Sequence, residues 1–297
     1  MSRPPLLVFG LTGQLGEALL RTSLPMPVLA VSRALPVGAE HRFGTSPAHA
    51  RTVDALQWQR GALDDFSDAH TFDAALSLGP LDAFARAVAD GRVRAGRIVA
   101  FGSTSVHAKA RSPDPAERAL AQRLAEAEAA LFTACARVGA PCLILRPTLV
   151  WGMGRDATVS RVVELARRWP LMPLPLDAPG LRQPVHAMDL AEAARRALAD
   201  DGHPSAAFDL PGGETLPFGT MLARSVRAGA SGARLLPVPW RIVRLAAGRH
   251  SRLRGVAARL AHDLVFDSSP AVARLGWRPR GFAPTPADFA LPPAAGR

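Results

Sequence analysis

A short apolar run, Leu6-Leu7-Val8-Phe9, passes directly into Gly10-Leu-Thr-Gly13-Gln-Leu-Gly16 and then into a helical stretch from Glu17 to Arg21. Few local patterns constrain a fold as tightly. Consecutive apolar residues bounded by a turn fit a strand buried on both faces, the kind found in parallel sheets. Glycines spaced by two residues fit a turn that presents backbone amides and a helix N-terminus to an anionic group. Gly10 permits the tight turn, Gly13 lets a pyrophosphate approach the backbone, and Gly16 lets helix and strand pack closely. The residues expected to form this phosphate cradle are Gly10, Thr12, Gly13, Gln14, Leu15 and Gly16. A purely structural turn can use the same glycines, so the surrounding sequence has to decide.

That surrounding sequence alternates. The apolar runs Leu6–Phe9, Val28–Val31, Ala74–Leu78, Arg97–Phe101, Cys142–Leu145 and Ala207–Leu210 read as strands. Helical patterns fall between them at Gly16–Leu24, Leu81–Ala89, Pro115–Val138, Val159–Trp169 and Leu190–Ala199. The expected fold is α/β: a Rossmann-like, doubly wound parallel sheet with a small C-terminal substrate lobe. After about residue 210 the alternation stops. Pro237-Val-Pro239-Trp240 breaks the chain, and a basic helical stretch runs to about His262. Val265-Phe-Asp-Ser-Ser-Pro-Ala-Val reads as a strand and a short helix, with Ser268 or Ser269 as N-cap and Pro270 at the first helical position. The expected division is residues 1–152 plus about 182–210 for the dinucleotide-binding domain. Residues about 153–181 plus 211–297 make the smaller lobe.

Composition narrows the class. With 297 residues, 48% of them hydrophobic, the chain can bury a large core. No apolar run reaches the ~18–20 residues of a membrane span, and the first strand begins almost at once, so a cytoplasmic location is expected. Cys135 and Cys142 fall in a helical and a strand pattern and read as small buried apolar residues; no metal site is expected. The net charge of +11 is unevenly placed. No acidic residue lies between Glu214 and Asp263, whereas that interval holds Arg224, Arg227, Arg234, Arg241, Arg244, Arg249, Arg252, Arg254 and Arg259. This basic segment, 224–259, fits a phosphorylated substrate, an anionic membrane surface or a solvated arginine-rich face. Aromatic residues are not interleaved with it, which ranks nucleic acid last among its partners. A homodimer is compatible with the chain.

The second strand ends Ala30-Val31-Ser32-Arg33. A site selective for NAD places Asp or Glu there to accept from the ribose hydroxyls, and a carboxylate would repel a 2′-phosphate. Ser32 can donate to that phosphate and Arg33 can pair with it. NADP(H) is therefore favoured over NAD(H), against the alternative that Arg33 is merely exposed.

Taken with the glycine loop, the other motifs form an ordered set. They are Arg97-Ile-Val-Ala-Phe-Gly-Ser103-Thr104-Ser105-Val106; Leu145-Arg146-Pro147-Thr-Leu-Val-Trp-Gly152; Leu181-Arg182-Gln-Pro-Val-His186-Ala-Met-Asp189-Leu-Ala; and Phe266-Asp-Ser-Ser with Leu275-Gly-Trp-Arg-Pro279. Over nearly its whole length the chain resembles the extended short-chain dehydrogenase/reductases, the NAD(P)-dependent sugar-nucleotide epimerases and dehydratases. The resemblance implies a catalytic hydroxyl at Ser103, with Ser105 beside it on the substrate side. It implies a cofactor contact at Pro147 and a substrate-diphosphate contact at Arg182. The family's later diphosphate-binding element is not found; Arg249, Arg252 or Arg254 could stand in for it. His186 reads as a structural residue at a strand end, and Asp189 as the N-cap of the helix from Leu190.

The family also implies a Tyr-x-x-x-Lys pair, and here the chain departs from it. It contains no tyrosine, and Lys109 is its only lysine. The two positions fall on Leu120 and Leu124, neither of which exchanges a proton; a one-residue shift would bring in Arg123 but no tyrosine. His107 and Lys109, just past the Ser103 strand, are the nearest substitutes, His107 as general acid or base and Lys109 as a substrate contact, unless both are ordinary loop residues. Two readings follow. One is an oxidoreductase, epimerase or dehydratase acting on a nucleotide sugar or similar small molecule with a changed proton relay. The other is a non-catalytic protein that senses or structurally uses NADP(H).

Overall fold

The computed structural model describes residues 6–24, 27–35, 56–200, 204–249 and 260–290. Its centre is a seven-stranded sheet in which every paired strand is parallel. The strands are β1 (Leu6–Phe9), β2 (Val28–Ser32), β3 (Leu56–Arg60), β4 (Ala74–Ser77), β5 (Ile98–Phe101), β6 (Cys142–Pro147) and β11 (Ala206–Leu210). They lie in the order β11-β6-β5-β4-β1-β2-β3. The chain builds outward from β1 to β3 and then returns to lay β4 on the other side of β1. That reversal opens a crevice at the C-terminal ends of β1 and β4, where open α/β sheets bind ligands.

β1 shows why the apolar run had to be a central strand. Leu6 and Val8 enter one core with residues of α1 (Gln14–Leu20) and α6 (Ala187–Leu198). Leu7 and Phe9 enter the opposite core with residues of α2 (Leu81–Ala89) and α4 (Pro115–Val138). Alternation of side chains across the sheet makes both faces of the strand apolar. The ends of α4 follow from local chemistry. Asp114 accepts from the Ala116 amide at 2.9 Å, Pro115 fills the first turn, and Gly139 closes the helix at φ 70°.

A third apolar core lies outside the sheet. Trp151, Val159, Val163, Leu174, Met221, Val226, Phe282 and Phe289 are among its buried members. It is built by α5 (Val159–Arg168), α7 (Phe218–Gly229) and short strands. The short strands outside the sheet are β7 (Val150–Trp151), β8 (Leu171–Leu174), β9 (Leu181–Arg182), β10 (Val185–His186), β12 (Leu216–Pro217) and β13 (Arg234–Pro237). Of these, β7, β8, β12 and β13 supply residues to this core, whereas Val185 of β10 packs in the core under α6. They pair as β7 with β10, β9 with β12, and β8 with β13. The chain continues through α3 (Ser105–Ala108), α8 (Trp240–Arg249) and α9 (Ser269–Leu275).

Several sequence expectations shift here. The alternation does not stop at residue 210: β12, α7 and β13 continue it, with a buried face on α7. The tail is divided between cores. Ala271, Leu275 and Trp277 pack in the core beneath α6, whereas Phe282 and Phe289 join the third core. Around Val265 there is no strand, only one bridge from Leu264 to Arg182. α9 starts at Ser269, one residue ahead of Pro270; the Ser268 side chain does not cap it, and Asp267 accepts from the Ser269 amide at 2.9 Å. Asp189 is not the cap of α6. That helix starts earlier, at Ala187, because the His186 imidazole accepts from the Met188 amide at 3.1 Å. Cys135 and Cys142 are free and buried. The side chain of Arg249 and residues Arg252, Arg254 and Arg259 lie outside the described residues.

Candidate active site

The glycine turn sits at the crevice. Gly10 has φ +90°, a left-handed value that a side chain resists, and a Cβ there would press on the Leu78 backbone at 3.1 Å. A Cβ on Gly16 would lie 2.3 Å from the backbone of Leu11, so only glycine lets α1 start this close to the turn. Gly13 is different: a Cβ there would meet only the Gly10 carbonyl, at 3.3 Å, and otherwise open space. Gly13 also precedes α1 with no side chain capping the helix. Leu15 is half-buried against the core under α1. Gln14 points out of the turn and donates to the Gly152 carbonyl at 2.7 Å.

The Gly152 loop is shaped for that contact. Gly152, Met153 and Gly154 all have positive φ, 91°, 63° and 64°. A Cβ on Gly152 would lie 2.5 Å from Nε2 of His186. His186 is itself fixed, with Nδ1 accepting from the Met188 amide and Nε2 therefore donating to Asp288 at 3.1 Å. Trp151 stacks edge-on against His186 at 4.5 Å. The loop delivers Arg155 to the turn, where its Nη1 donates to the Thr12 carbonyl at 2.9 Å.

At the end of β2, Ser32 is buried and donates to the Ala34 carbonyl at 2.9 Å; its Oγ lies 3.3 Å from Oγ1 of Thr12. Arg33 is exposed and makes no ion pair among the described residues. Thr12, Ser32 and Arg33 thus share one edge of the crevice, next to the glycine turn.

At the end of β5, the Oγ of Ser103 accepts from the Ser105 amide at 3.1 Å, opening α3. The hydroxyl keeps its own proton to donate. Thr104, which the motif reading passed over, is buried, and its amide and hydroxyl both donate to the Pro147 carbonyl, at 3.2 and 3.1 Å. Pro147 is thereby tied to the Ser103 turn. Lys109 pairs with Glu117 at 3.5 Å. Leu120, Leu124 and Glu128 follow one another at single-turn spacing along one stripe of α4, both leucines half-buried.

His107 is held by a cluster that sequence reasoning did not assemble. Arg146 on β6 grips the buried Glu128 through both its Nε, at 2.8 Å, and its Nη2, and its Nη1 lies 3.1 Å from Nε2 of His107. Arginine has donors only, so Nε2 is the acceptor and the ring proton sits on Nδ1. Asp209 on β11 lies 3.6 Å from both Nε2 of His107 and Nη1 of Arg146. Burial pushes its carboxyl above the usual carboxylate range, against the pull of His107 and Arg146. The charged hydrogen bonds to Glu128 hold the Arg146 guanidinium above its ordinary value.

Arg182, on β9, is 4% exposed. Its Nη1 donates to the carbonyls of Leu181 and His262, each at 2.7 Å, and the guanidinium lies 5.1 Å from the Phe218 ring centre. Burial lowers its pKa to about 10. Among the described residues no group of three potential ligands is arranged for a metal, and no helix is long and apolar enough to cross a membrane.

Arg155, Asp209, Thr104 and Asp288 thus enter the neighbourhood without having been singled out. Only Asp209 had a readable signal, as a carboxylate in an otherwise apolar strand, Ala206-Ala-Phe-Asp-Leu210.

No protein-family model matches the chain, and no curated protein matches it in sequence. Solved structures match it in fold. A structure of MoeE5 in complex with UDP-glucose and NAD is 19% identical over 93% of each chain, with a TM-score of 0.65. UDP-glucuronic acid 4-epimerase from Bacillus cereus in complex with NAD is 14% identical, over 96% of this chain and 97% of the other, with a TM-score of 0.66. The Bordetella bronchiseptica enzyme WbmG in complex with NAD is 15% identical, over 98% and 93%, with a TM-score of 0.62. At such identities the likeness is one of fold: the Rossmann-like architecture shared with these structures extends along almost the whole chain.

Proposed function

We propose that this protein is an NADP(H)-binding enzyme of the extended short-chain dehydrogenase/reductase type. Its substrate is a nucleotide sugar or a similar alcohol or carbonyl compound, and its proton relay is altered. The observation that carries the reading is the convergence of the glycine turn, the Ser32–Arg33 strand end and the Ser103 turn on the C-terminal edge of one parallel sheet. The NAD held by MoeE5, the Bacillus cereus epimerase and WbmG, and the UDP-glucose or UDP in structures of MoeE5 and WbmG, support the ligand classes.

The residues present fit a dinucleotide. α1 carries no side-chain cap, and Gly13 leaves its backbone open to approach. The backbone of Gly10, Thr12, Gly13, Gln14, Leu15 and Gly16 would hold the pyrophosphate, with Pro147 flanking the cofactor. β2 ends in Ser32-Arg33-Ala34-Leu35 with no carboxylate, which suits a 2′-phosphate. When bound, NADP(H) supplies hydride chemistry; orientation and proton movement fall to the chain.

Ser103 donates its free hydroxyl proton to the reacting oxygen and so orients the substrate. Proton uptake by His107 at Nε2 breaks the bond from Arg146, since a protonated ring nitrogen repels another donor. The new N–H then has Asp209 to turn to. Arg146 and Asp209 thus offer His107 one partner for each protonation state, the property a proton carrier needs. Leu120 and Leu124 favour the second reading, a protein that binds NADP(H) without catalysis. Arg182 enters the enzyme reading as a diphosphate contact that must exchange a backbone carbonyl for the substrate.

The test is single-turnover hydride transfer, followed by nicotinamide absorbance across nucleotide sugars and simple carbonyls. The enzyme reading expects transfer that Ser103→Ala slows. Tight NADPH binding with no transfer to any substrate favours the non-catalytic reading. Absence of dinucleotide binding overturns both.

A further inference from the structure

Among the described residues, the large apolar side chains left exposed are concentrated on the smaller lobe. Trp169 at 61%, Leu171 at 53%, Leu236 at 50%, Ile242 at 57% and Leu245 at 62% fall in just two stretches of chain. β8 and β13 bring these stretches together, with Leu171 opposite Arg234 and Pro173 opposite Leu236. Met172 and Leu235 pack against the lobe core, so strand alternation turns Leu171, Pro173, Arg234 and Leu236 outward. Three residues after β13 the chain enters α8. Ala247 is buried there, Val243 and Ala246 are half-buried, and Arg241, Ile242, Arg244 and Leu245 are exposed. The α8 amide at Trp240 is fixed by Asp177 at 2.7 Å. A cavity of about 480 Å³ opens beside the ribbon, lined in part by Arg167, Arg168 and Trp169.

On the β13 and α8 side of this apolar face the charge has one sign. No acidic residue occurs between Glu214 and Asp263. The carboxylates nearest in sequence are already engaged: Glu164 pairs with Arg161 and Arg168, and Asp177 accepts from Trp240. An apolar face bordered by arginines, with a tryptophan at its margin, is the chemistry of a surface that settles into lipid headgroups. A second copy of the same face would set arginine against arginine, which disfavours self-association. Nucleic acid would leave Leu236, Ile242 and Leu245 without a stacking role.

We propose that this face docks on an anionic phospholipid bilayer. Leu236, Ile242 and Leu245 enter the headgroup boundary, and Arg234, Arg241 and Arg244 pair with lipid phosphates. The inference does not depend on the dinucleotide reading.

The experiment is co-sedimentation of the full chain with vesicles of phosphatidylcholine alone or mixed with phosphatidylglycerol. Binding is expected only with phosphatidylglycerol and should weaken as salt rises. Arg241→Gln and Arg244→Gln should each weaken it by about fivefold. The double variant Ile242→Ser/Leu245→Ser, which leaves the charge unchanged, should weaken it by about tenfold or more. An unchanged melting temperature confirms that each variant folds. No binding of the unmodified chain to phosphatidylglycerol vesicles at low salt overturns the proposal. So does full binding by Ile242→Ser/Leu245→Ser, which would mean charge attraction alone. Tighter binding to single-stranded DNA than to vesicles, or a fall in solution mass in Ile242→Ser/Leu245→Ser without loss of vesicle binding, also overturns it.

Discussion

Nε2 of His107 lies 3.1 Å from the donor Nη1 of Arg146 and 3.6 Å from the carboxylate of Asp209. One nitrogen therefore faces a hydrogen-bond donor and an acceptor from two different strands. If His107 carries the proton, His107→Ala should lower single-turnover hydride transfer by ~10²-fold or more. Asp209→Asn keeps the shape but removes the charge that receives the protonated ring, and should cost about tenfold. Both variants should still bind NADPH. Rates unchanged in both would remove His107 from the mechanism.

The glycines of the turn should separate by what surrounds them. Gly13→Val should fold, because a Cβ there meets only one carbonyl, at 3.3 Å, yet lose NADPH binding. Gly16→Ala should instead destabilise the protein, by about 1–3 kcal/mol or more, because its Cβ would sit 2.3 Å from the Leu11 backbone. Thermal melts with and without NADPH distinguish the two. Undiminished NADPH affinity in Gly13→Val would make the turn purely structural.

Cofactor choice rests on Arg33. NADPH should raise the melting temperature more than NADH at equal concentration, since a ligand that binds only the folded state stabilises it by mass action. Arg33→Asp should erase or reverse the difference. A larger shift with NADH in the unmodified protein would exclude the assignment.

Acid should loosen the helix that backs the turn. The hydrogen bond from Arg195, aided by Arg196, lowers the pKa of Glu192 on α6 to about 2. Its unfolded value is about 4.3. A depressed carboxylate stabilises fully above the unfolded value and loses that contribution as pH falls toward the folded one. Between about pH 4.5 and 2 the melting temperature should therefore fall less steeply in Glu192→Gln than in the parent. The pair is partly exposed, so the effect should stay within about 1 kcal/mol and shrink with added salt. Identical slopes in parent and variant would show that the ion pair contributes nothing.

The central strands and the long helix were legible because their signals are local. Leu6–Phe9 and Pro115–Val138 have in the structure the bounds expected from sequence. A strand buried on both faces needs an unbroken apolar run, and a helix with Asp114, Pro115 and Gly139 at its ends carries its own punctuation. α6 was misread at its start because a histidine cap is not a usual sequence signal. β3 was missed because Leu56-Gln-Trp-Gln-Arg60 alternates apolar and polar residues at the sheet edge, where one face stays wet.

By itself the sequence determined the parallel sheet, the glycine turn, the absence of tyrosine and the one-signed charge after Glu214, since each is written in neighbouring residues. Only the tertiary structure decided which side chains meet. Arg146, Asp209 and His107 come from β6, β11 and α3; Arg155 reaches Thr12 across 143 positions of chain; and Leu171 shares a face with Leu236 only because β8 and β13 pair. Side-chain chemistry is local, but proximity between distant residues is created when separate apolar faces are buried together, and no spacing along the chain records it.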